Sequence, residues 1–583
     1  GNKPDGFVMK KAQGGAELAG FQYSINLATM DCTGCAVCVE ACPDDALFMA
    51  DFVENAPLEV PNWEFALKHG TKDNPSDKFS VKGSQFETPL LEFSGACAGC
   101  GETPYVKLIT QLFGNRMMIA NASGCSSVWG GTSTTNPYTV DEEGRGPAWG
   151  RSLFEDNAEF GLGMAMASMQ RRKHLIAKVQ AVLDGDAKVS PELEKEFAKW
   201  MKVVDNAEKS DACVKRILPL LEVEKGGVPV LESIYTSRDM FTKNSQWIIG
   251  GDGWAYDIGF GGLDHVLAKG ENVNIVVLDT EMYSNTGGQV SKSTPQSALV
   301  KFATSGKAQA KKDLGQIAMG YENVYVASCA MGADYNQSVD AFKEAEAYDG
   351  PSLVLCYSPC IDWGIDMAQM MTIQKLAVDS GYWPLYRYDP REAAKGEQPF
   401  KLDSRRIKTE LANYLKGENR YAALRRADEK RADYLQGAFE QYTNRRMAHM
   451  QRSAMDDYEL LDFLKAKMGE QTGEKVLILY GSETGNCKDV AGMLAYEMKR
   501  RDIRVSLMAM DDFDVNELPD QKTVIQLAAT CGQGEYPANC RGYWEELNDD
   551  ALPSDFLAGV KFATFAMGDS GYVFYNNVGT SFD

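Results

Sequence analysis

The sequence has few histidines, no long apolar run and no excess of positive charge, and each shortage excludes a class of protein. Its 583 residues include 4 histidines, which leaves few ligands for zinc sites of the mixed Cys/His type. No apolar stretch approaches the length of a membrane span, and residues 1–7 show neither an initiator Met nor a signal-peptide pattern. A net charge of −22 argues against a nucleic-acid partner. The length predicts several domains, each with its own core.

Cysteine, by contrast, is abundant: the chain contains 14, and they are grouped rather than scattered. Tight cysteine spacing in a long chain without a secretory signal is typical of metal or cluster binding rather than of disulfides. The first group lies in DCTGCAVCVEACP and consists of Cys32, Cys35, Cys38 and Cys42. This C-x2-C-x2-C-x3-C-P run predicts a [4Fe–4S] site, because zinc ribbons use two separated pairs.

The fourth cysteine of such a run binds the neighbouring cluster in two-cluster ferredoxins. Cys32, Cys35 and Cys38 are therefore expected to bind one cluster, and Cys42 a second cluster whose own run would lie upstream. Residues 1–60 are predicted to be the C-terminal half of a ferredoxin-like domain.

A second cysteine group follows a polar stretch, residues 52–86, which is predicted to be irregular and to contain a connector at residues 61–86. Cys97 and Cys100 lie on a Gly/Ala loop before a predicted helix, and Cys125 lies in another glycine-rich turn. A cubane cluster held by thiolates needs a fourth ligand. The spacing leaves four candidates open, which are Cys213, Cys329, Cys356 and Cys360.

Residues 246–295 form the pattern around which the other motifs are arranged, a strand–helix–strand unit with oxygen-bearing residues after both strands. Asp252 follows the first strand within GDG, Thr280 follows the second, and Asn285 comes shortly after. Ligands of parallel sheets bind at the carboxyl ends of strands, and these oxygens suit a divalent cation with its phosphate ester. The flanking glycines and the start of the helix favour a phosphate. An ordinary loop is the alternative, but the combined pattern favours a diphosphate site.

This stretch resembles the thiamine-diphosphate domain of the pyruvate:ferredoxin oxidoreductases, and the resemblance continues through most of the chain. It implies an open α/β domain at residues 87–422, in which Asp252, Thr280 and the carbonyl of Met282 bind Mg²⁺. It also implies that Cys360, in the segment PCIDWG, is the fourth ligand of the cluster nearest thiamine diphosphate.

The same resemblance implies that Glu102 and Cys125 approach thiamine diphosphate, with Glu102 and Asn285 as catalytic residues. A histidine often follows the fourth cysteine in this family, where this chain has Asp362 and Trp363. The residues expected to contact thiamine diphosphate are Glu102, Cys125, Gly251, Asp252, Gly253, Trp254, Thr280, Glu281, Met282, Tyr283, Ser284 and Asn285.

Three further stretches are predicted from their patterns alone. Residues 155–245 are mostly helical, with Cys213 on an apolar face as a core residue. Residues 301–312 are basic, which indicates either a solvated helix face or a surface near an acidic ligand such as coenzyme A. Residues 423–473 alternate charge at helical spacing and are predicted to be a helical linker.

A second fold is predicted at residues 474–583, where KVLILYGSETGNCKDV is a buried strand, a polar loop and a helix start. The loop can donate several hydrogen bonds to one phosphate, and it lacks the lysine of nucleoside-triphosphatases, so a monoester phosphate fits better. Two more predicted strands, residues 524–529 and 562–567, end in the loops TCGQGEYP and GDSGYVFYN. All three loops follow strands at their carboxyl ends, where doubly wound sheets bind ligands.

These loops resemble those of the flavodoxin-like, FMN-binding domain of diflavin reductases. Cys531 stands where that family usually has an aromatic residue, which leaves Tyr572 as the expected flavin-stacking ring, and the fold is expected to be truncated at the end of the chain. The residues expected to contact FMN are Ser482, Glu483, Thr484, Gly485, Asn486, Ala529, Thr530, Cys531, Gly532, Gly568, Asp569 and Tyr572.

The combination of sites resembles the pyruvate:NADP⁺ oxidoreductases, a family that joins the thiamine enzyme to a diflavin-reductase module. It implies oxidative decarboxylation of pyruvate with coenzyme A to acetyl-CoA and CO₂. Electrons would pass from thiamine diphosphate through [4Fe–4S] clusters to FMN and on to NADP⁺, with FAD and NADP sites, and the substrate-binding residues, on sequence outside this chain. A homodimer in mitochondria or cytoplasm, without a membrane or nucleic-acid partner, is expected.

Three alternatives stay open at this point. The protein could be a pyruvate:ferredoxin or pyruvate:flavodoxin oxidoreductase without a nicotinamide step. It could be a non-catalytic electron-transfer relative, although the intact metal and cluster motifs argue against this. The substrate could be another 2-oxoacid, which nothing in the residues excludes.

Overall fold

The computed structural model describes residues 3–13, 16–70, 73–132, 136–455, 460, 464, 475–501, 503–531, 534–549, 551–571 and 573–582. The chain divides into two compact units, Gly1–Ala454 and Met455–Asp583. Among these residues, no helix is both long enough and apolar enough to cross a membrane.

The N-terminal segment carries the first predicted cluster loop. It holds a short antiparallel pair, β1 (Lys10–Lys11) and β2 (Gln22–Tyr23), and one turn of helix, Val37–Glu40, within the cysteine run. Gly34 in that run has a φ of +68°, a left-handed conformation that glycine adopts without strain.

The prediction of irregular structure from residue 52 onward is wrong, because Phe52–His69 is a helix that crosses the predicted boundary at residue 60. The side chain of Asp51 starts the helix by accepting a hydrogen bond from the backbone N–H of Glu54 at 3.0 Å. Pro57 and Pro61 lie inside it, and each removes one intrahelical donor. Since they are four residues apart, both lie on the same helix face, and the helix continues past them.

The first unit is built on a sheet that has eight strands in the described part of the chain. They are β3 (Met117–Asn121), β4 (Ala148–Arg151), β5 (Ser245–Gly251), β6 (Asn274–Asp279), β7 (Tyr325–Cys329), β8 (Ser352–Tyr357), β9 (Tyr386–Tyr388) and β10 (Phe400–Leu402). Their order is β10-β9-β7-β8-β6-β5-β3-β4, and all neighbours are parallel except the pairs that involve β9.

Side chains of the central strands alternate between two cores, one on each face of the sheet. On β6, Ile275 and Val277 belong to one core, and Val276 and Leu278 to the other. Strands buried on both faces are nearly continuous apolar runs, as the sequence of β6, NIVVLD, shows. The register pairs Gly251 with Leu278 and therefore brings the carboxyl ends of β5 and β6 side by side.

Helices cover both faces of this sheet. Besides Val37–Glu40 and Phe52–His69, the described helices of the first unit are Val81–Ser84, Thr103–Phe113, Cys125–Ser127, Asn157–Leu183, Pro191–Met201, Ala207–Glu224, Pro229–Thr236, Phe260–Lys269, Leu314–Met319, Tyr335–Ala347, Met370–Asp379, Pro390–Ala393, Leu411–Leu415, Asn419–Ala427 and Glu429–Ser453. The helical interpretation of residues 155–245 is confirmed, and Cys213 is buried in a separate helical core there.

Part of the predicted linker belongs to the first unit. The helix Glu429–Ser453 buries the apolar stripe Leu435, Phe439, Met447 and Met450 against the rest of that unit. A helix with one buried apolar stripe is a packed element rather than a free spacer. Most of the predicted linker beyond residue 455 lies outside the described residues.

The second unit is a smaller parallel sheet. Its strands are β11 (Lys475–Gly481), β12 (Arg504–Ala509), β13 (Thr523–Ala529) and β14 (Lys561–Met567), in the order β12-β11-β13-β14, and its helices are Asn486–Lys499, Arg541–Leu547 and Asn577–Ser581. All described pairings are parallel. The order 2-1-3-4 is that of the flavodoxin-like doubly wound fold.

A buried ion-pair network fastens the closing helices of the first unit to the sheet. The guanidinium of Arg420 donates to the carboxylates of Glu281 and Glu418, both at 2.6 Å, and its side chain is 1% exposed. Lys311 Nζ lies 2.8 Å from Asp279 and 3.1 Å from Glu281. Burial alone would raise the pKa of Glu281, but the two cations lower it, so the carboxyl stays charged.

We expect the substitution Arg420→Ala to lower the free energy of unfolding of the first unit by about 3–5 kcal/mol, because it removes the cation of the buried Glu418 and one of the two cations of the buried Glu281. Denaturant unfolding followed by circular dichroism measures the change. Arg425→Ala is the matched control on the same helix, since Arg425 pairs with Asp433 at the surface and should cost less than about 1 kcal/mol. Equal effects of both substitutions would contradict a special role for the buried network.

Candidate functional site

A cavity of about 210 Å³ lies at the carboxyl ends of β3, β5 and β6. Its lining includes every residue predicted to contact thiamine diphosphate except Glu281. Sequence reasoning missed four further lining residues, Ser123, Gly124, Phe154 and Thr286. The first two belong to the glycine-rich turn before Cys125 and could have been found there, whereas Phe154 carries no local motif.

The oxygens predicted to bind Mg²⁺ converge on one side of this cavity. The hydroxyl of Thr280 lies 3.0 Å from Asp252 Oδ1 and 3.2 Å from the carbonyl oxygen of Met282. Adjacent ligands of an octahedral Mg²⁺ with bonds of 2.0–2.1 Å are about 2.9 Å apart. The all-oxygen donor set and its spacing therefore fit a hard divalent cation that keeps room for water and phosphate oxygens.

The carboxylate of Asp252 is held in a defined orientation. Ser291 donates to its Oδ2 at 2.6 Å, which leaves Oδ1 facing Thr280. Burial and the nearby negative charge of Asp279 raise the pKa of Asp252. A divalent cation at this position would favour the charged carboxylate.

The segment that follows β6 is shaped by a left-handed residue. Glu281 has a φ of +62°, and Asp279 accepts a hydrogen bond from its N–H at 3.0 Å. The side chain of Glu281 consequently enters the buried network with Arg420 and Lys311 rather than the cavity. This placement does not support the predicted contact between Glu281 and the cofactor, and it gives Glu281 a structural role instead.

Two of the glycines near the site make room for aromatic rings. A Cβ at Gly253 would lie 2.8 Å from the ring of Tyr283, and a Cβ at Gly250 would lie 2.5 Å from the ring of Trp254. At Gly251 a Cβ would meet only a carbonyl oxygen at 3.8 Å. The packing of the aromatic rings therefore requires glycine at 250 and 253, whether or not a ligand also approaches the backbone there.

Asn285 lies at the exposed rim of the cavity, and Glu102 at its buried end. Trp129 Nε1 donates to Glu102 Oε2 at 2.7 Å. Burial raises the pKa of Glu102 to about 7, although the hydrogen bond from Trp129 opposes the shift. A carboxyl group with this pKa can hold or release a proton near neutral pH.

The loops of the second cysteine group pack directly against the segment that contains Cys360. The N–H of Gly101 donates to the carbonyl of Pro359 at 3.1 Å, and a Cβ at Gly101 would lie 2.5 Å from Pro359 N. Cys125 begins the turn after β3, and its sulfur lies 3.2 Å from the hydroxyl of Ser284 in the cavity wall.

The four sulfurs predicted for this cluster are close enough to influence one another electrostatically. Burial raises the pKa of Cys360 to about 12, and the charges of Glu102 and Cys97 contribute. Burial likewise raises the pKa of Cys125, with contributions from Glu102, Cys360 and Cys97. The pKa of Cys100 is raised by burial, Glu102 and Cys360. A bound metal cluster would stabilise these thiolates.

The other candidates for the fourth ligand lie elsewhere. Cys356 and Cys329 are paired across β8 and β7, fully buried, and influence each other rather than the cluster cysteines. Cys213 lies in the helical core. Among the described residues, no three His, Cys, Asp or Glu side chains lie close enough to hold a single metal ion. The four thiols of a cubane bind different irons and do not need that closeness.

The first and second cluster loops both line a cavity of about 520 Å³. Its lining includes Cys32 and Cys35 from the first loop and Cys97 and Cys100 from the second. Cys42 Sγ accepts a hydrogen bond from the N–H of Ala46 at 3.3 Å, while Cys38 is exposed on the same loop. The structure therefore brings the two predicted cluster loops together within the first unit.

Basic residues 301–312, all of them described, form a loop and not a helix. Lys311 is committed to the buried network, and Lys307 Nζ contacts backbone carbonyls, including that of Ser291 at 3.2 Å. The interpretation of this stretch as a solvated helix face is wrong. The stretch is not helical, Lys311 pairs with the buried carboxylates of Asp279 and Glu281, and Lys307 donates to backbone carbonyls.

In the second unit, the predicted FMN loops follow the neighbouring strands β11, β13 and β14 at one edge of the sheet. Ser482 Oγ accepts hydrogen bonds from the N–H groups of Gly485 at 3.0 Å and Cys487 at 3.2 Å. Ser482 thus caps the start of the helix at Asn486, where the sequence predicts the phosphate of FMN. Gly485 has a φ of +91° and requires glycine.

The other predicted flavin residues connect the loops to one another. Glu483 Oε2 accepts from the N–H of Ala538 at 2.7 Å, and Thr530 Oγ1 accepts from the N–H of Val578 at 3.2 Å. The remaining residues of this set, Thr484, Ala529, Cys531, Gly568 and Asp569, lie in or beside the same loops. Gly532 and Tyr572 lie outside the described residues, so the predicted stacking ring has no structural description.

Family models match three parts of the chain. A 4Fe-4S binding domain covers residues 29–48, a thiamine pyrophosphate enzyme C-terminal TPP binding domain covers residues 239–356, and a flavodoxin domain covers residues 478–583. The chain thus joins a 4Fe-4S binding segment and a thiamine-diphosphate binding domain to a flavodoxin domain. The predicted fold classes and the iron–sulfur, thiamine and flavin cofactors are confirmed, and Mg²⁺ stays a prediction.

Individual relatives narrow this class. The chain is 48% identical over its whole length to the mitochondrial pyruvate dehydrogenase [NADP(+)] of Euglena gracilis, covering 32% of that protein. It is 41% identical over its whole length to pyruvate dehydrogenase [NADP(+)] of Cryptosporidium parvum, covering 34%. It is 50% identical over 78% of its length to pyruvate-flavodoxin oxidoreductase of Klebsiella pneumoniae, covering 39%. The chain is similar to these pyruvate oxidoreductases and spans between 32% and 39% of their length.

We expect Asp252→Ala to abolish binding of Mg²⁺ and thiamine diphosphate, because it removes the charged metal ligand, and to leave the visible absorbance of the clusters unchanged. Isothermal titration of the purified protein with thiamine diphosphate and Mg²⁺ measures the binding. Asp257→Asn is the control, since that nearby carboxylate pairs with Lys292. Parallel loss of binding and cluster absorbance in Asp252→Ala would show that the residue is structural.

We expect Cys360→Ser to remove about four irons per chain, because it deletes a ligand of the second cluster, whereas Cys356→Ser should leave the iron content unchanged. Iron and acid-labile sulfide analysis of anaerobically purified protein measures both. The two cysteines are four residues apart, and only Cys360 lies with the other predicted ligands. If Cys356→Ser lost the irons and Cys360→Ser retained them, the ligand assignment would be wrong.

Proposed function

We propose that the protein to which this chain belongs oxidatively decarboxylates pyruvate with coenzyme A and transfers the two electrons to NADP⁺. The observation that carries this proposal is the position of Cys125. It lines the same cavity as Asp252 and Thr280, and the negative charges of Cys360 and Cys97 contribute, after burial and Glu102, to the raised pKa of its thiol. The proposed thiamine-diphosphate site and the proposed [4Fe–4S] cluster therefore adjoin each other at Cys125.

The residues of the cavity have distinct proposed roles. Asp252, Thr280 and the carbonyl of Met282 would hold Mg²⁺, which would supply positive charge for the diphosphate of the cofactor. Thiamine diphosphate, when bound, supplies the electron sink that decarboxylation of a 2-oxoacid requires. Glu102 holds or releases a proton at the buried end, and Asn285 orients the substrate at the rim.

The reaction releases electrons that the chain itself can accept. Pyruvate and coenzyme A yield acetyl-CoA, CO₂, one proton and two electrons. Iron–sulfur clusters accept electrons singly, so the pair leaves in two steps. Cys97, Cys100, Cys125 and Cys360 would hold one such cluster, and Cys32 and Cys35, which line the same cavity as Cys97 and Cys100, would help to hold another. FMN bound to the loops of the second unit would supply an acceptor that can store both electrons.

A pyruvate:flavodoxin oxidoreductase without a nicotinamide step is the second candidate. The bacterial relative of that name aligns with 78% of the chain, whereas the two relatives named for NADP⁺ align with all of it. The flavodoxin domain fused to the chain takes the place of a separate flavodoxin, which favours NADP⁺ as the final acceptor. A homodimer and a mitochondrial or cytoplasmic location stay predictions from the family resemblance.

We expect the anaerobically purified full-length protein to reduce NADP⁺ at a rate that depends on both pyruvate and coenzyme A. Absorbance at the NADPH band measures the reaction, and omission of either substrate is the control. Reduction of a viologen dye or ferredoxin without reduction of NADP⁺ would support the thiamine half and contradict the nicotinamide step. Failure to reduce any acceptor would contradict the proposed function.

A further inference from the structure

Trp363 connects the proposed metal site to the proposed cluster. It is fully buried in the turn Ile361–Trp363, which directly follows Cys360. Its backbone N–H donates to the carbonyl of Cys360 at 3.0 Å, and its indole Nε1 donates to the carbonyl of Thr280 at 2.8 Å. Trp363 therefore contacts both proposed sites. Its indole is hydrogen-bonded to Thr280, a predicted Mg²⁺ ligand, and its backbone is hydrogen-bonded to Cys360, a predicted cluster ligand.

The indole is held on its other sides as well. The guanidinium of Arg420 lies 4.2 Å from the centre of its ring system, and the ring of Tyr357 lies 5.4 Å away. Arg420 also pairs with Glu281, the residue that follows Thr280. These contacts form a closed circuit of residues. Trp363 contacts Thr280, Thr280 is followed in the chain by Glu281, Glu281 pairs with Arg420, and Arg420 packs on Trp363. This circuit of contacts leaves the indole of Trp363 little freedom to move.

We propose that Trp363 is a positioning residue that fixes the segment 280–282 relative to Cys360. The inference rests on the proposed function of the cavity and explains how the distance between the proposed metal site and the proposed cluster is held constant. Transfer of single electrons slows steeply as the donor and acceptor move apart, so a fixed separation between the metal–diphosphate site and the cluster is needed. Groups that orient metal ligands from outside the coordination sphere typically contribute 10–100-fold to metal affinity.

The test compares two buried tryptophans in the full-length holoenzyme. Trp363→Phe keeps an aromatic ring but removes the donor to Thr280. Trp383→Phe is the matched control: Trp383 belongs to the same core, packs 4.8 Å from the same Tyr357 ring, and donates to the carbonyl of Cys329 at 3.1 Å. Both substitutions remove one buried indole N–H, but only one of them touches the segment 280–282.

Two properties are measured that a loss of packing alone would not change. The first is the Kd of Mg²⁺ at saturating thiamine diphosphate, and the second is the electron paramagnetic resonance spectrum and midpoint potential of the cluster near Cys360 after reduction with dithionite. We expect Trp363→Phe to raise the Kd about tenfold and to alter the spectrum. Trp383→Phe should stay within twofold of the wild type in Kd and keep its spectrum, while both variants lower the thermal unfolding temperature.

The outcomes separate this inference from the proposed function. If the wild type binds Mg²⁺ and thiamine diphosphate but Trp363→Phe matches Trp383→Phe in Kd and spectrum, the positioning role is overturned and the proposed function stands. If the wild type itself does not bind them, the proposed function fails. Should Trp363→Phe not fold, 3-benzothienylalanine incorporated at position 363 replaces it, since this analogue keeps the shape of tryptophan and lacks the N–H. An unchanged Kd and spectrum with this analogue would equally overturn the proposal.

Discussion

The parallel pairing of β8, β6, β5 and β3 is the constraint on which the site depends. Because neighbouring parallel strands end at one edge of the sheet, the four segments that follow them must meet there. These segments carry Cys360, Thr280, Asp252 and Cys125 respectively. The sheet thus brings together, from distant parts of the chain, the residues proposed to bind a metal–diphosphate group and an iron–sulfur cluster.

Charge balance around β6 is the second requirement of this arrangement. Asp252, Asp279 and Glu281 lie on or beside the end of one strand, all buried, and such a concentration of carboxylates needs cations. Lys311 and Arg420 neutralise the two that point away from the cavity. Asp252 faces the cavity, where Mg²⁺ is the proposed counterion. The closing helices therefore contribute to the site through charge even though they do not line it.

The second unit uses the same rule on a smaller scale. Its three candidate flavin loops also follow adjacent parallel strands, and hydrogen bonds such as Glu483 to Ala538 join one loop to another. Each unit has its own apolar cores on both faces of its sheet. Sites built at the strand ends of independently packed sheets can be combined in one polypeptide, as the family models matched by the two units indicate.

The sequence by itself determined the features that depend on residues close together in the chain. The run from Cys32 to Cys42, the GDG turn, the SETGN loop and the buried strands all follow from local spacing and from apolar runs, and the structure contains the strands at nearly the predicted bounds. Tertiary structure decided what depends on pairing between distant segments. The burial of Cys356 within β8, beside β6, follows from the sheet, and the direction of Glu281 follows from one left-handed residue and two distant cations. The helix Phe52–His69 forms in spite of its prolines, and Trp363 reaches Thr280 across 83 residues of sequence. Local patterns cannot encode these contacts, because their free energy comes from packing and charge that exist only once the sheet has formed.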